Sequence, residues 1–401
     1  MNIIFICDEY PPGKNGGIGT AVRVLGRELV KQGHGVYVVG LYPYSYGEKD
    51  FEMDEGVQVW RLRYGINLAS GNNFFYKVIS KLPGFVRSRL NGKKAFDNYI
   101  AFINKLVATE NIDLIEIADW NTFVFKIGFS VIWPPFKAPL LLKSHGCYTK
   151  IFHDLQLPVD PEFSKTDRLL FNRADALAAV SYDTATKNRD IFHIKKKIKV
   201  LYNGIEIPVK NAGARENKKI IYTGALTIQK GVLQLMKAWN IVHEKHPDAK
   251  LLVFGKGKMS PMLKLLSKSA APTVYFKGHV SRGILFDELS IATMAVFPSY
   301  TESFSMAPLE AMSVGCPVIY TERSSGKELI TDHENGRLVD PDNVEQIANV
   351  ITNLIENKND QLNFSSKGYL TIINNFTIAK IAKEHVEYYL LITAKFKSKT
   401  T

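Results

Sequence analysis

Short apolar, β-branched runs alternate with longer segments of helical period along almost the whole chain, and few architectures satisfy that alternation. The first run covers residues 2–7, Asn-Ile-Ile-Phe-Ile-Cys, and 36–39, 57–62, 114–117, 140–143, 176–180 and 198–201 continue it. Strands that are apolar at consecutive positions are covered on both faces, and strands separated by helices pair in parallel through crossovers. A second series follows Asn203-Gly204-Ile205, with strands at 220–223, 250–254, 274–276, 295–297 and 318–320 and a helix at 232–246. Between the two series, 208–217 is polar, with Pro, Gly and mixed charge, and reads as a linker. The pattern predicts an α/β chain of two doubly wound, Rossmann-like domains, 1–205 and 206–377, then a helix at 378–394 and a frayed basic tail at 395–401. In such sheets ligands sit beyond the carboxyl ends of the strands, so facing halves would place both sets of loops in one cleft.

The 401 residues carry a formal net charge of +12, which favours anionic partners: nucleotides, phosphates, anionic lipid heads or nucleic acid. No recognised nucleic-acid module accompanies the charge, and no nucleic-acid partner is expected. The three cysteines, Cys7, Cys147 and Cys316, form no Cys-x-x-Cys pair, which argues against a disulfide framework or zinc cluster and fits a reducing, cytoplasmic setting. The first residues lack the basic n-region of a signal peptide, and no apolar run is long enough to span a bilayer.

The loop after the first strand, Asp8-Glu9-Tyr10-Pro11-Pro12-Gly13-Lys14-Asn15-Gly16-Gly17-Ile18-Gly19-Thr20, leads into a helix expected from about residue 21 to 32. Its glycines either let the backbone approach a diphosphate or sugar at a helix N-terminus, or serve only the geometry of a long turn. The spacing is not Gly-x-Gly-x-x-Gly, and no acidic residue follows the second strand to hold a ribose, so a dinucleotide enzyme is disfavoured.

A second pattern lies at Pro298-Ser299-Tyr300-Thr301-Glu302-Ser303-Phe304-Ser305-Met306-Ala307-Pro308-Leu309-Glu310. Glu302 falls on the loop after a strand, Ser303 or Ser305 is placed to cap the next helix, and Pro308 suits its first turn. Free N–H groups near Phe304, Ser305 and Met306 would face an anion, flanked by carboxylates that accept hydrogen bonds from sugar hydroxyls.

Glu302-x7-Glu310, continued by Ala-Met-Ser-Val-Gly-Cys-Pro-Val-Ile, resembles the glutamate motif of glycosyltransferase family 4. The resemblance runs nearly the whole chain, through Gly16-Gly17, Asn203-Gly204-Ile205, Thr223-Gly224-Ala225-Leu226, Lys230-Gly231, Phe254-Gly255-Lys256-Gly257 and Gly278-His279-Val280. It implies the GT-B fold, with the C-terminal helix crossing back to the N-terminal domain. It also implies a retaining transferase that moves a hexose-type sugar from a nucleoside diphosphate sugar, the donor, to a glycan or lipid-linked acceptor in polysaccharide or glycoconjugate biosynthesis.

By the same resemblance, Glu310 holds the donor ribose and Glu302 contacts the transferred sugar. Phe304, Ser305, Met306 and Ala307 bind sugar and diphosphate through their amides, with Gly16, Gly17 and Gly224 on the donor, and Lys230 neutralises the leaving diphosphate. The backbone at Val280 reads the base, and His145, in Lys143-Ser144-His145-Gly146, lies near the donor sugar. Two departures stand out. Ala225 replaces the family's usual Arg, leaving Lys230 to act with another cation such as Lys256 or Arg282, and the later Gly-Gly-x-x-Glu pattern becomes Ser325-Gly326-Lys327-Glu328. No Asp-x-Asp motif serves the diphosphate, so no metal or other cofactor is expected. The segment 72–107 interleaves apolar residues with Lys77, Lys81, Arg87, Arg89, Lys93 and Lys94, and fits either peripheral contact with an anionic membrane at the inner face of the cell membrane or a core helix with a solvated basic face. The competing readings are a nucleotide-sugar epimerase on the same fold and a non-catalytic nucleotide-sugar-binding subunit.

Overall fold

The computed structural model describes residues 1–12, 16–65, 91–119, 131–208 and 215–400. The chain forms two compact units. The first comprises Met1–Val180, Ala185–Leu201 and Ala382–Thr401, and the second Ser181–Thr184 and Tyr202–Ile381.

The first unit holds β1 (Asn2–Ile6), β2 (Gly35–Pro43), β3 (Phe51–Asp54), β4 (Val57–Tyr64), β5 (Leu114–Ala118), β6 (Leu140–Ser144), β7 (Ala176–Ala179) and β8 (Ile198–Val200). Among the described residues these form one sheet in the order β3-β4-β2-β1-β5-β6-β7-β8, parallel except for the antiparallel β3–β4 pair. The chain builds outward from β1 through β2 and β4, then returns beside β1 with β5 and builds the other way. The reversal leaves a crevice beyond the carboxyl ends of β1 and β5. Ile4, Val39, Ile115, Leu142 and Trp133 lie in its core, each at most 2% exposed.

The second unit holds β9 (Lys219–Thr223), β10 (Lys250–Phe254), β11 (Val274–Gly278), β12 (Met294–Phe297), β13 (Val318–Thr321) and β14 (Arg337–Val339), in the order β11-β10-β9-β12-β13-β14. Here the reversal falls between β9 and β12, where Ile220 pairs with Met294. Ile220, Tyr222, Trp239, Met294 and Ile351 fill the core.

Several expected boundaries move. The first helix is Gly17–Lys31 and so begins inside the glycine run. A Cβ on Gly19 would collide with the Glu9 carbonyl, so packing of the helix onto that loop requires glycine there. The tail expected to fray is helical, because Ile378–Thr400 forms one helix whose residues from Ala382 onward belong to the first unit. Lysines in its last turn suit the negative end of the helix dipole. That helix is tied to the sheet by buried polar groups. The Tyr389 hydroxyl donates to Glu116 Oε2 at 2.5 Å, and Lys143 Nζ lies 2.8 Å from His385 Nε2. Burial raises the Glu116 pKa, opposed by Lys143, and lowers that of Lys143, opposed by Glu116.

All three cysteines are buried thiols. Among the described residues no helix is long and apolar enough to cross a membrane. Most of the basic-apolar segment 72–107 lies outside the described residues; its final part belongs to the helix Gly92–Thr109.

Candidate active site

In the second unit, the loops after β9 and β12 meet at the reversal point. Gly231 has φ +66°, and a Cβ there would strike the carbonyl of Pro298, so glycine lets the two loops touch. The Tyr300 amide donates to the Gln229 carbonyl at 2.8 Å, which locks them together. Tyr300 is further clamped by Gln234 at 2.6 Å and by its own donation to Asp342 at 2.9 Å, with the Arg323 guanidinium 5.4 Å from its ring centre.

This frame places Lys230 and Glu302 side by side. Lys230 Nζ donates to Glu302 Oε2 at 2.7 Å, and Ser299 Oγ donates to Glu302 Oε1 at 2.8 Å. Glu302 is only 6% exposed. Both its oxygens are therefore held by donors, while Lys230 keeps a solvent-accessible side. The Tyr222 hydroxyl beneath has its pKa raised by burial and by the Glu302 charge.

The helix Met306–Ser313 starts just beyond. Ser305 occupies the N-cap position, but its side chain makes no cap hydrogen bond, contrary to the expected serine cap. The Ser305 side chain thus leaves the first N–H groups of this helix uncapped, at an end where backbone N–H groups and the dipole favour negative charge. Phe304 is fixed in the approach by Asn203 Nδ2, which donates to its carbonyl at 3.0 Å.

Glu310, one turn into that helix, is 8% exposed and faces Arg282, whose Nε donates to its Oε1 at 3.1 Å. Burial raises the Glu310 pKa, and the Arg282 charge and hydrogen bond oppose the rise. Arg282 also lies 3.7 Å from Glu206. Val280 is half-buried between β11 and the helix Arg282–Ser290, and Gly224 lies directly after β9. Ala225 is exposed, and its carbonyl accepts from the Tyr222 hydroxyl at 2.9 Å. The altered segment at 325–328 has a structural use: Glu328 accepts from the amides of Tyr182 and Asp183 at 2.8 Å each and from the Tyr202 hydroxyl at 3.0 Å.

The first unit places its predicted residues at its own reversal point. Gly16, at φ +83°, precedes the first helix; a Cβ there would run into the Glu9 side chain, whereas Gly17 has open space around its Cα. His145 follows β6 and is half-buried; burial, reinforced by Lys143, holds its imidazole well below the ordinary pKa, so the ring is neutral at pH 7. Sequence reasoning missed what fixes this loop. Asp119, directly after β5 and 1% exposed, accepts from the His145 amide at 2.8 Å and from the Ser144 hydroxyl. Asn188 donates to the same hydroxyl at 2.7 Å. Burial pushes the Asp119 carboxyl up to about 6. An acidic residue ending an apolar strand was the available signal. Ser299, beside the strand end before Glu302, was overlooked in the same way.

The model for glycosyl transferases group 1 matches residues 205–371, and that for glycosyltransferase family 4 matches 15–207. An uncharacterized glycosyltransferase of Methanocaldococcus jannaschii is 24% identical, over 97% of this chain and 98% of the relative. Among solved structures, sucrose-phosphate synthase from Thermosynechococcus elongatus superposes with a TM-score of 0.78 at 19% identity, over 98% of this chain and 99% of that one. Anabaena HepE in complex with UDP-glucose gives 0.66 at 18% identity, over 97% and 99%. With a matching family model on each half and the GT-B fold shared over nearly its whole length, this chain belongs to glycosyltransferase family 4 and is a glycosyltransferase.

Proposed function

We propose that this enzyme moves a hexose-type sugar, with retention, from a nucleoside diphosphate sugar to a glycan or lipid-linked acceptor in polysaccharide or glycoconjugate biosynthesis. The observation that carries the donor reading is the Lys230–Glu302 pair at the β9/β12 reversal, beside a helix N-terminus whose N-cap residue, Ser305, makes no side-chain cap. The ammonium and the helix end form one cationic locus for a diphosphate, and the carboxylates of Glu302 and Glu310 are acceptors for sugar and ribose hydroxyls. The UDP-glucose complex of a structural neighbour supports the same class of donor.

In this reading the donor displaces Arg282 from Glu310 as the ribose hydroxyls take over that carboxylate, and Arg282 becomes the second cation that Ala225 cannot supply. Phe304, Ser305, Met306 and Ala307 present their amides to the sugar and diphosphate, with Gly16, Gly17 and Gly224 as close-approach positions and Val280 beside the base. His145, neutral, hydrogen-bonds the transferred sugar. The acceptor oxygen attacks the anomeric carbon on the face from which the diphosphate departs. The C–O bond to phosphate breaks as the new glycosidic bond forms, and the acceptor proton passes to the departing phosphate oxygen. Lys230 stabilises the charge that develops there, a role that a metal fills in other transferases. Residues 206–377 carry the donor and 1–205 select the acceptor; the enzyme works in the cytoplasm, with 72–107 as a peripheral membrane contact.

A thermal-shift screen of UDP-, GDP- and ADP-sugars, followed by turnover in chelator with NMR assignment of the product anomer, tests the reading. A donor at about 100 times its Kd adds about 2.7 kcal/mol of stability. An inverted product, a product formed only with added magnesium or manganese, or donor altered without acceptor would each overturn the corresponding part.

A further inference from the structure

The first unit contains a cavity of about 600 Å³ at the opposite pole of its sheet from Gly16 and His145. It is bounded by Pro139, Asp175 and Ala176, which stand at or before the amino ends of β6 and β7, by Lys197 and Lys199 around the start of β8, and by the C-terminal helix. Ligands of doubly wound sheets bind at the carboxyl ends, so this cavity is not part of the transfer site.

Its chemistry is two-sided. Leu177, Tyr388, Leu391, Ile392 and Phe396 supply an apolar lining, and Lys197, Lys199, Lys395 and Lys399 surround it, outnumbering the carboxylates of Asp175, Glu384 and Glu387. Those four lysines are exposed and form no ion pair among the described residues. Lys196, by contrast, is occupied with the carbonyls of Asn172 and Ala174, at 3.1 and 2.6 Å. Leu391, Lys395 and Lys399 follow one another at four-residue intervals and so share one face of the helix. Leu391 is 68% exposed and its neighbour Leu390 51%. A polyanion in solution would use the lysines and leave both leucines in water. The headgroup layer of an anionic bilayer satisfies both, with phosphates on the lysines and an acyl chain against the leucines and the cavity wall.

We propose that this cavity and the lysine–leucine face of the C-terminal helix dock the enzyme on a membrane by binding an acidic phospholipid. The proposal is independent of the donor reading and of the basic segment 72–107.

The test is co-sedimentation of the full chain with vesicles of phosphatidylcholine alone or with 30% phosphatidylglycerol. The wild type should bind the anionic vesicles and release them as salt rises. The K197Q/K199Q/K395Q variant should bind about a hundredfold more weakly, roughly fivefold per lysine. Leu391→Asn, at an exposed position, should weaken binding about tenfold with the thermal midpoint unchanged, and it decides the matter even if the triple variant does not fold. Equal binding of wild type and folded triple variant to anionic vesicles would place the contact elsewhere and overturn the proposal. So would equal wild-type binding to both vesicle types, or competition by heparin together with undiminished binding of the Leu391→Asn variant, which would mark a polyanion site.

Discussion

Replacing Lys230 by Met separates two roles that the structure assigns to one ammonium. Lys230 is the charged partner of a carboxylate that is almost entirely buried, while its own side chain is 26% exposed. Removing one member of a fully buried pair costs about 3–5 kcal/mol, and an exposed pair is worth about 0–1. With one end wet and Ser299 still donating to Glu302, the cost falls near 1.5 kcal/mol. For a unit of this size that is a drop of about 3–6 °C in the midpoint of the transition. Adding Glu302→Gln removes the stranded charge, so K230M/E302Q should recover most of the lost stability. Activity behaves differently. Loss of one preorganised charge facing the developing anion costs about 10²–10³ in kcat, and the second substitution cannot restore it. The assays are differential scanning fluorimetry and initial-rate turnover with the donor found by screening. A Lys230→Met enzyme with kcat within about threefold of wild type would refute the electrostatic role. A double variant no more stable than the single would refute the stranded-charge reasoning.

Three further outcomes are expected. Arg282→Gln removes the cation that opposes the burial-driven rise of the Glu310 pKa, so Glu310 should protonate at higher pH; the acid limb of kcat/KM for donor moves upward, and an unmoved limb would contradict this assignment. Asp119 has a folded pKa of about 6, above its ordinary 3.8, so the folded state binds the proton more tightly and stability falls as pH rises from about 4 to about 6. Asp119→Asn should flatten that part of the stability profile measured by urea titration, and an unchanged slope would count against it. Tyr389→Phe leaves buried Glu116 without its hydroxyl donor and should destabilise the first unit by about 1–3 kcal/mol in chemical denaturation, without altering donor-induced stabilisation.

The central strands were legible because each is buried on both faces and so reads as an unbroken apolar run. The edge strand β3 was not: Phe51 and Met53 are exposed, and its four residues offer only a weak alternation. The first turn of the first helix was hidden for a different reason. Glycine is a poor helix former, and tertiary packing against the Glu9 carbonyl, invisible in a local window, overrides propensity at Gly19. Glu302 and Glu310 could be picked out by spacing. Their burial and partners could not, since Arg282 reaches Glu310 across 28 positions and Lys230 reaches Glu302 across 72. The carboxylate that holds the His145 loop is likewise 26 positions away, just past the end of a neighbouring strand. The last turns of the C-terminal helix are not legible because a lysine-rich end resembles a solvated tail.

The Tyr389–Glu116 bond sets an order on biosynthesis. Most of the first unit is translated before the second, yet part of it, Ala382–Thr401, follows the whole of the second. The second unit, whose final residue is Ile381, is complete in sequence before the first. During translation the nascent amino-terminal sheet holds Glu116 and Lys143 without Tyr389 and His385, so it waits in an unfinished state while the other unit closes. A nonsense mutation between Ala382 and Tyr389 would therefore spare the second unit and cripple the first, most of which is made earlier.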